Sequence, residues 1–287
     1  MSLAKREAGL TTEYSDMTSL QPAEPFKHLN ISSAEVLERL TERSPCPKCH
    51  KSRMYFCYNC LVPVDALTGK IPYVPLPVEV EIVKHPGETN GKSTAVHAAV
   101  LAPDDVTLRT YPDVGSYDPD ETVLVFPDSS AGSVADVSAE FAAAGRPLRR
   151  ALFLDCTWNQ CRRLLDSDQL RGLRCVQLRE HETRFWRYQR GKPRTHLATI
   201  EAVYYFVREL QESRHDTYGG EFDDLLFFFD HFYRTVFRSR AAGSLWAYRT
   251  EDTWVRPSER ERQNSDSEEA GGRDGSGVTN GQLERAP

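Results

Sequence analysis

Four short apolar runs, each bounded by polar or turn-forming residues, predict the strands of a sheet. They are VEVEIVK at 78–84, TVLVF at 122–126, RALFLD at 150–155 and LRCVQL at 173–178. Apolar residues with helical spacing lie between them, at 93–102, 133–144 and 157–167. Strands that are apolar almost throughout are typical of a parallel sheet covered on both faces. This alternation predicts an α/β domain.

Longer helical patterns end the part of the chain that is predicted to be ordered. Segments 198–213 and 221–240 carry apolar stripes, and a short helix over 34–40 follows the capping pair Ser32 and Ser33. Residues 1–30 and 256–287 lack such periodicity and are predicted to be disordered. We therefore divide the ordered chain into a cysteine-containing segment at 31–75 and an α/β domain at 76–240.

Composition limits the class of protein. The chain has 287 residues, of which 39% are hydrophobic, and this is ample for a buried core. Its apolar runs are too short to cross a bilayer, and its first residues, MSLAKREAGL, contain no apolar signal segment. Seven cysteines without such a signal favour thiols and metal ligands over disulfides. We expect an unsecreted protein, without a membrane partner, that acts as a monomer.

A regular cysteine pattern lies ahead of the α/β region. Cys46, Cys49, Cys57 and Cys60 form a CxxC-x7-CxxC array. Each CxxC lets two thiolates approach one ion from a tight turn, and two such turns complete a tetrahedral zinc site. A structural Zn²⁺ is the favoured interpretation, and four buried free cysteines are the alternative. Cys156, Cys161 and Cys175 lack this spacing and are interpreted as ordinary thiols.

Positive charge is concentrated in the middle of the chain. The formal net charge is -6, yet residues 146–194 contain thirteen Lys and Arg against five Asp and Glu. A phosphate-binding surface would use such a cluster, because each phosphate contact releases counterions. A solvated helix face with incidental arginines is the alternative. Within 184–194, cations alternate with Phe185, Trp186 and Tyr188, a combination that suits an RNA backbone with exposed bases.

Loops that follow the predicted strands are the expected place for a ligand, because α/β sheets bind ligands beyond the carboxyl ends of their strands. The sequence KHPGETNGKSTA, which begins at Lys84, resembles a phosphate-binding loop. Its glycine spacing is one residue short, and Pro86 has no N–H to donate, which argues against that site. The other strand-end loops are PDSSAGS, DCTWNQ and a long basic segment that shows no element before Ile200.

Together these motifs resemble the DTW-domain family. The resemblance rests on DCTW at 155–158, KHPGE and KSTA within 84–95, VFPDSSA at 125–131 and HLATIEA at 196–202, and it covers about 44–238. It implies a fold related to the SPOUT class and a tRNA-uridine aminocarboxypropyltransferase. The implied reaction moves the 3-amino-3-carboxypropyl group of S-adenosylmethionine to N3 of a D-loop uridine around position 20, and releases methylthioadenosine. The literal Asp252-Thr253-Trp254 follows no strand and is given no role.

The resemblance also implies roles for individual residues. Asp155, Thr157 and Trp158 are the implied catalytic residues, with Asp155 accepting the imide proton or orienting the uracil. The alternatives are that Asp155 or Thr157 caps a helix and that Trp158 fills the core. The implied cofactor contacts are Pro127, Asp128, Ser129, Ser130, Asp155, Leu197, Ala198, Thr199 and Glu201. For Glu201 the partner is a loop amide or a cofactor hydroxyl, and capping is the alternative for both Thr199 and Glu201.

Arg184, Arg187, Arg190, Lys192 and Arg194 are the expected tRNA contacts. Two other functions stay open from the residues alone. One is a SPOUT-type RNA methyltransferase, and the other is a noncatalytic RNA-binding protein with zinc and a basic surface. The eukaryotic character of the resemblance favours the nucleus as the location, with the cytoplasm as the alternative.

Overall fold

The computed structural model describes residues 24–187 and 193–241, and the side chains at 158, 159, 240 and 241 are outside this description. In chain order, the strands are β1 Ser44–Pro45, β2 Ser52–Arg53, β3 Phe56–Cys57, β4 Val62–Pro63, β5 Glu79–Lys84, β6 Val106–Thr110, β7 Thr122–Val125, β8 Gly132–Ser133, β9 Arg150–Asp155 and β10 Arg174–Gln177. The helices are α1 Glu35–Glu38, α2 Ala95–Leu101, α3 Val134–Ala143, α4 Trp158–Leu165, α5 Thr199–His215 and α6 Phe227–Ala241. Short 3-10 helices cover Asp65–Leu67 and Asp223–Leu226.

The main sheet has six strands in the order β6-β5-β9-β7-β10-β8, and each neighbouring pair is parallel. Strand β9 lies inside the sheet, with β5 on one side and β7 on the other. Its last residue, Asp155, is in register with Lys84 at the end of β5. All carboxyl ends of these strands meet at one edge, so the loops that follow β5, β7, β9 and β10 form the site.

Strand β9 shows how the sheet separates two cores. Successive side chains point to opposite faces, so Ala151 and Phe153 join the larger core while Leu152 packs in the smaller one. Helices α2, α3, α5 and α6 contribute to the larger core, and α4 contributes Leu164 to the smaller one. The same alternation directs Asp155 to the face that carries α2 and α5.

Helix α2 is buried at every position from Ala95 to Leu101. Helix α5 packs against both α2 and β9, and the 3-10 helix that precedes α6 contacts both α2 and α5. Phe227, Phe228 and Phe229 at the start of α6 are each at most 1% exposed. Burial of one such side chain stabilises the fold by roughly 1.5–3 kcal/mol. This packing fixes the starts of α2 and α5 beside the end of β9.

The parallel α/β sheet predicted from the sequence is confirmed, and all four predicted strands are present. Within this sheet the prediction missed β6 and the two-residue strand β8, and it also missed the short strands β1 to β4 around the cysteines. Strand β6 is at the sheet edge, where Thr107 and Arg109 reduce its apolar character. Predicted helix 221–240 begins instead as a 3-10 turn and becomes α-helical at Phe227.

The amino-terminal boundary also differs from the prediction. Residues 24–30, within the segment predicted to be disordered, form a turn in which Phe26 is 6% exposed and contacts Phe229 edge to face at 5.9 Å. Ser32 does not cap α1, because its hydroxyl donates to Asp224 at 2.8 Å. Residues 1–23, the 256–287 tail and Asp252-Thr253-Trp254 lie outside the described residues. Among the described helices, none is long and apolar enough to span a bilayer.

Candidate active site

Asp155 joins three parts of the fold through its carboxylate. Its Oδ2 accepts a hydrogen bond of 2.7 Å from the Ser93 hydroxyl, in the loop before α2. Its Oδ1 accepts a hydrogen bond of 2.6 Å from the Thr199 hydroxyl, at the first residue of α5. The side chain of Asp155 is 6% exposed. Two hydroxyl donors therefore hold this carboxylate at the carboxyl end of a central strand.

Asp155 is not the residue that caps α4. That helix has Thr157 as its N-cap, and the Thr157 amide donates to Gln160 Oε1 at 2.8 Å. The cap alternative thus fits Thr157, whereas both carboxylate oxygens of Asp155 bond to hydroxyls from other elements. Trp158 begins α4, and its side chain lies outside the described part of the structure. The catalytic role that the resemblance implies for Trp158 stays a prediction.

A cavity of about 440 Å³ opens at the carboxyl ends of β7, β9 and β10. Its lining is mixed, with apolar side chains from the strand ends and a polar side formed by segment 177–181, residues 195–196 and the start of α5. Such a volume lies within the range of small-ligand sites, about 300–1,000 Å³. The residues that line it include Val125, Phe126, Pro127, Phe153, Leu154, Cys156, Cys161, Leu178, Leu197 and Thr199. We call it the strand-end cavity.

Three of the predicted cofactor residues, Pro127, Leu197 and Thr199, line the strand-end cavity. The turn that follows Pro127 is not among its lining residues. There, Asp128 Oδ1 accepts hydrogen bonds from the Ser130 amide at 2.9 Å and the Ser130 hydroxyl at 2.7 Å, and Asp128, Ser129 and Ser130 are all exposed. The hydrogen bonds from Ser130 lower the pKa of Asp128. These three residues stabilise a turn beside the cavity.

Glu201 lies beneath the long basic loop and binds its backbone. It is 2% exposed, and it accepts hydrogen bonds from the Thr183 hydroxyl, the Arg184 amide and the Ala198 amide at 2.6, 2.6 and 2.7 Å. Burial raises the pKa of Glu201 to about 7, although these hydrogen bonds act in the opposite direction. Glu201 therefore binds a loop amide and caps α5 at Ala198, in agreement with two of the interpretations offered for it.

The four cysteines form one cluster. The sulfur atoms of Cys46, Cys49, Cys57 and Cys60 all lie within 4.8 Å of one another. Ligands arranged tetrahedrally around zinc, at about 2.3 Å each, would be about 3.8 Å apart. The Sγ atoms of Cys49 and Cys57 are 3.6 Å apart. The cluster thus has the donor set and the spacing of a closed structural zinc site.

The two halves of this cluster have similar backbone geometry. Antiparallel pairs β1–β2 and β3–β4 flank the two CxxC turns. The residue after each turn, His50 or Leu61, adopts a left-handed φ of 57° or 55°. Amides of Lys48 and Cys49 point at Cys46 Sγ, at 3.4 and 3.5 Å. These turns therefore direct the sulfur atoms to a common centre.

The Cys57 thiol has a lowered pKa for a physical reason. Burial raises its pKa, but hydrogen bonds from the amides of Cys60 and Asn59 and from the Arg53 guanidinium lower it to about 6. Thiolate is the form that binds zinc. A zinc ion held here would have four sulfur ligands and no open position, so it would stabilise the segment without touching substrate.

The cysteine-containing segment packs on the α/β domain and creates a second cleft. Phe56 contacts Phe228 of α6 at 4.8 Å and His97 of α2 at 5.6 Å, while the Tyr55 hydroxyl bonds to His231 at 3.0 Å. A cleft of about 280 Å³ lies between this segment, the loop 90–94 and the basic loop. Its lining residues are Arg43, Arg53, Met54, Tyr55, Phe56, Tyr58, Asn90, Gly91, Lys92, Ser93, Thr94, His97, Trp186, Arg187, Phe232 and Val236. We call it the segment cleft.

Most of the positive charge predicted to form one surface is neutralised. Of the thirteen cations between 146 and 194, at least eight form salt bridges within the described part of the chain, namely Arg146, Arg149, Arg150, Arg162, Arg171, Arg174, Arg179 and Arg194. Several of their carboxylate partners lie outside that range, as with Glu79 and Glu140. The local charge count therefore overstates the free positive charge.

Of the expected tRNA contacts that the structure describes, which are Arg184, Arg187 and Arg194, only Arg187 lines the segment cleft. Its Nη1 donates to the Lys92 carbonyl at 2.7 Å. Arg194 pairs with Glu182 at 3.4 Å, and the Arg184 amide binds Glu201. Arg190 and Lys192, together with Tyr188, lie outside the described residues. Trp186 packs against Phe229 at 5.0 Å, so this aromatic ring is half-buried and partly structural.

The residues that sequence reasoning missed come mainly from KSTA and from the end of β10. Ser93 was quoted in a motif without a role, yet it bonds Asp155. Leu178 and His181 line the strand-end cavity directly after β10. The rule that ligands bind beyond strand ends would have selected these two, whereas no local pattern signals the contact of Ser93 with Asp155.

Comparison with known proteins assigns this chain to a family. Residues 54–237 match the model of the DTW domain. The tRNA-uridine aminocarboxypropyltransferase 1 of Xenopus tropicalis is 39% identical over 81% of this chain and 92% of its own length. The proteins of the same name from Mus musculus and Homo sapiens are 38% and 36% identical, each over 81% of this chain and 90% of its own length.

One solved structure also matches, that of the SAM-dependent rRNA:acp-transferase Tsr3 from Vulcanisaeta distributa. It is 19% identical, covers 58% of this chain and 85% of its own, and has a TM-score of 0.33. A likeness of this size carries no weight for fold or activity.

Proposed function

This chain belongs to the DTW domain family, and from that premise we propose that it is a tRNA-uridine aminocarboxypropyltransferase. The similarity to relatives of that name, over 81% of this chain, is the observation that carries the proposal. The donor is S-adenosylmethionine, and the acceptor is N3 of a D-loop uridine around position 20. Methylthioadenosine is the second product. The SPOUT-type methyltransferase and the noncatalytic binding protein are the outcomes that the experiment below distinguishes.

The strand-end cavity fits the donor. Its volume of about 440 Å³ and its mixed apolar and polar lining suit a nucleoside with a short polar chain. Pro127 and Leu197 would hold the adenosyl part, and Thr199 lies at the end of the cavity nearest to Asp155. When bound there, S-adenosylmethionine supplies the electrophilic γ-carbon that the acceptor nitrogen attacks.

Asp155 has the position expected of the group that receives the imide proton. It is buried at 6% exposure, and the hydroxyls of Ser93 and Thr199 fix both of its oxygens. Thr199 faces the strand-end cavity, and Ser93 faces the segment cleft. A carboxylate held between two cavities in this way can influence an acceptor in one and a donor in the other. Fixed orientation of this kind contributes to rate because the reacting groups need little further ordering.

The structural role of the metal is part of the same proposal. Zinc bound by Cys46, Cys49, Cys57 and Cys60 would hold β1 to β4 in the shape that forms one wall of the segment cleft. We also propose that the protein acts as a monomer, since one chain contributes both cavities and Asp155. Light scattering of the purified chain tests this. The nuclear location stays a prediction, which microscopy of a tagged chain would test.

The decisive experiment uses purified protein, S-adenosylmethionine and unmodified tRNA. After digestion, mass analysis of the nucleosides should show aminocarboxypropyluridine, and sequencing of the RNA fragments should place it in the D loop. Methylated uridine would identify a methyltransferase instead. A bound but unmodified tRNA would identify a noncatalytic RNA-binding protein.

A further inference from the structure

We propose that the segment cleft holds the uracil base that receives the aminocarboxypropyl group, and that the imide proton leaves through the Ser93 hydroxyl to Asp155. The inference rests on the proposed function and assigns the acceptor site within it. In this assignment Ser93 and His97 contact the base. The wall formed by the four-cysteine segment contributes aromatic side chains.

The lining of the segment cleft suits one nucleotide of a single-stranded RNA loop. Aromatic rings from Phe56 and Tyr58 lie on the side of the four-cysteine segment, and Trp186 lies on the side of the basic loop. Lys92 is exposed at the rim, where Arg187 donates to its backbone carbonyl. Aromatic faces bind bases by stacking, and cations at the rim bind phosphate. This combination favours a nucleotide over an apolar peptide.

One residue of the cleft lining has a buried polar atom without a partner among the described residues. His97 lines the cleft and is 4% exposed, and its Nδ1 has no hydrogen-bond partner within the described part of the chain. Burial, and then the charge of Arg187, lowers the pKa of His97 to about 3, so the ring is neutral. A neutral imidazole has one N–H and one lone pair, and Nδ1 can present either one. A uracil carbonyl oxygen would accept from the N–H form and give this atom a partner.

Ser93 supplies the property that distinguishes uracil from cytosine. Its hydroxyl hydrogen points to Asp155 Oδ2 at 2.7 Å, and its oxygen accepts from the Ala95 amide at 3.1 Å. A hydroxyl oxygen has two lone pairs, so one lone pair is still available. Neutral uracil has a hydrogen on N3, and neutral cytosine has none there. Ser93 can therefore accept a hydrogen bond from uracil, whereas cytosine would leave two acceptors face to face.

The same hydrogen bonds provide a route for the proton. The N3–H bond breaks as Ser93 Oγ takes that proton, and Ser93 passes its own hydrogen to Asp155 Oδ2. The lone pair on N3 then forms the bond to the γ-carbon of the donor, and the electron pair of the broken C–S bond leaves with the sulfur of methylthioadenosine. Asp155 ends the step as a neutral acid. Ser93 ends it unchanged, so it positions the base and relays the proton.

The test measures binding of uridine 5′-monophosphate and cytidine 5′-monophosphate to the full chain, by competition with fluorescently labelled tRNA. We expect the wild type to bind the uridine nucleotide at least about tenfold more tightly, the effect of one well-placed hydrogen bond. Ser93→Ala should bring the two affinities to within about twofold. Equal affinities in the wild type, or an unchanged ratio in Ser93→Ala, would overturn the assignment.

A pair of core variants separates base contact from general loss of packing. Phe141 of α3 is 3% exposed in the larger core, and it is absent from the lining of the cleft. His97→Leu should weaken uridine nucleotide binding about tenfold, and Phe141→Leu should change it by less than about twofold. Equal losses in the two variants would contradict a contact between His97 and the base.

Two further measurements test the acceptor site if His97→Leu fails to fold. Lys92→Ala alters only an exposed side chain and should weaken the nucleotide about fivefold while leaving uridine without phosphate unaffected. Equal effects on both ligands would place the phosphate elsewhere. Nucleotide binding does not depend on turnover. A wild type that binds uridine nucleotide but forms no aminocarboxypropyluridine would therefore reject the proposed function alone.

Discussion

Ser93 and Thr199 donate hydrogen bonds to opposite oxygens of the Asp155 carboxylate, at 2.7 and 2.6 Å. The two hydroxyls belong to the loop before α2 and to the first turn of α5, and they are far apart in the chain. Ser93 lines the segment cleft, and Thr199 lines the strand-end cavity. The two hydrogen bonds are therefore alike in length, but the residues that donate them line different cavities.

This arrangement predicts different kinetic effects for the two hydroxyls. Thr199→Val keeps the shape of the side chain and removes the donor on the side of the strand-end cavity, so KM for S-adenosylmethionine should rise several-fold. Ser93→Ala should lower kcat at least about a hundredfold, because the proton then lacks its relay. Steady-state kinetics with each substrate varied in turn will separate the effects. Identical changes in both variants would show that the hydroxyls only hold Asp155.

Zinc should be present and structural. Elemental analysis of protein purified without chelator should give close to one zinc per chain, bound by Cys46, Cys49, Cys57 and Cys60. Because thiolate ligation is coupled to local folding, Cys57→Ser should lose the metal and expose the segment to proteolysis more than it disturbs the six-stranded sheet. The control is Cys175→Ser, a cysteine of β10 that lies outside the cluster. Metal-free wild type with an intact segment would contradict this prediction.

Glu201 should make stability depend on pH. Its pKa is about 7 in the fold and near ~4.3 when unfolded, so its contribution is fully present below about pH 4 and is lost as pH rises through 7. Between pH 6 and pH 8 this costs roughly 1 kcal/mol of unfolding free energy. Glu201→Gln cannot ionise and should lack this part of the pH dependence. Urea unfolding of both proteins at the two pH values will measure the difference, and parallel losses would reject the assignment.

Sequence reasoning recovered the framework because the strands carry a strong local signal. Strand β9 is apolar along most of its length, since its side chains pack into two cores, and its end identified Asp155. The site around Asp155 could not be predicted in the same way. Its contacts with Ser93 and Thr199 span 62 and 44 residues, and no pattern within a short window records them. The salt bridge from Arg150 to Glu79 is equally nonlocal, and for this reason counting charge along the chain overstated the basic surface.

The segment cleft should account for much of the salt dependence of tRNA binding. Lys92→Ala combined with Arg187→Ala should weaken tRNA binding and reduce the slope of log affinity against log salt by about one to two, because two phosphate contacts are lost. Arg187, Arg190 and Lys192 replaced together by alanine should also weaken tRNA binding while S-adenosylmethionine still binds.

Arg150→Ala with Arg174→Ala is the matched control for charge. These arginines pair with Glu79 and Glu140, and neither lines the segment cleft. The control should leave the salt slope nearly unchanged. If both double variants reduce the slope equally, binding depends on overall charge and not on the cleft.

Asp155→Asn tests the proton acceptor most directly. An asparagine oxygen can still accept from Ser93 or from Thr199, and the other hydroxyl can rotate to accept from the amide N–H, so the side chain should stay in place at a cost of about 1 kcal/mol. An amide cannot take a proton, and general bases typically contribute about 10²–10⁴ in rate. The variant should therefore bind S-adenosylmethionine and tRNA like the wild type but lose transfer at least about a hundredfold, as measured by single-turnover formation of the modified nucleoside. Near wild-type turnover would leave Asp155 as an anchor for α2 and α5 and would assign rate acceleration to the placement of the two substrates.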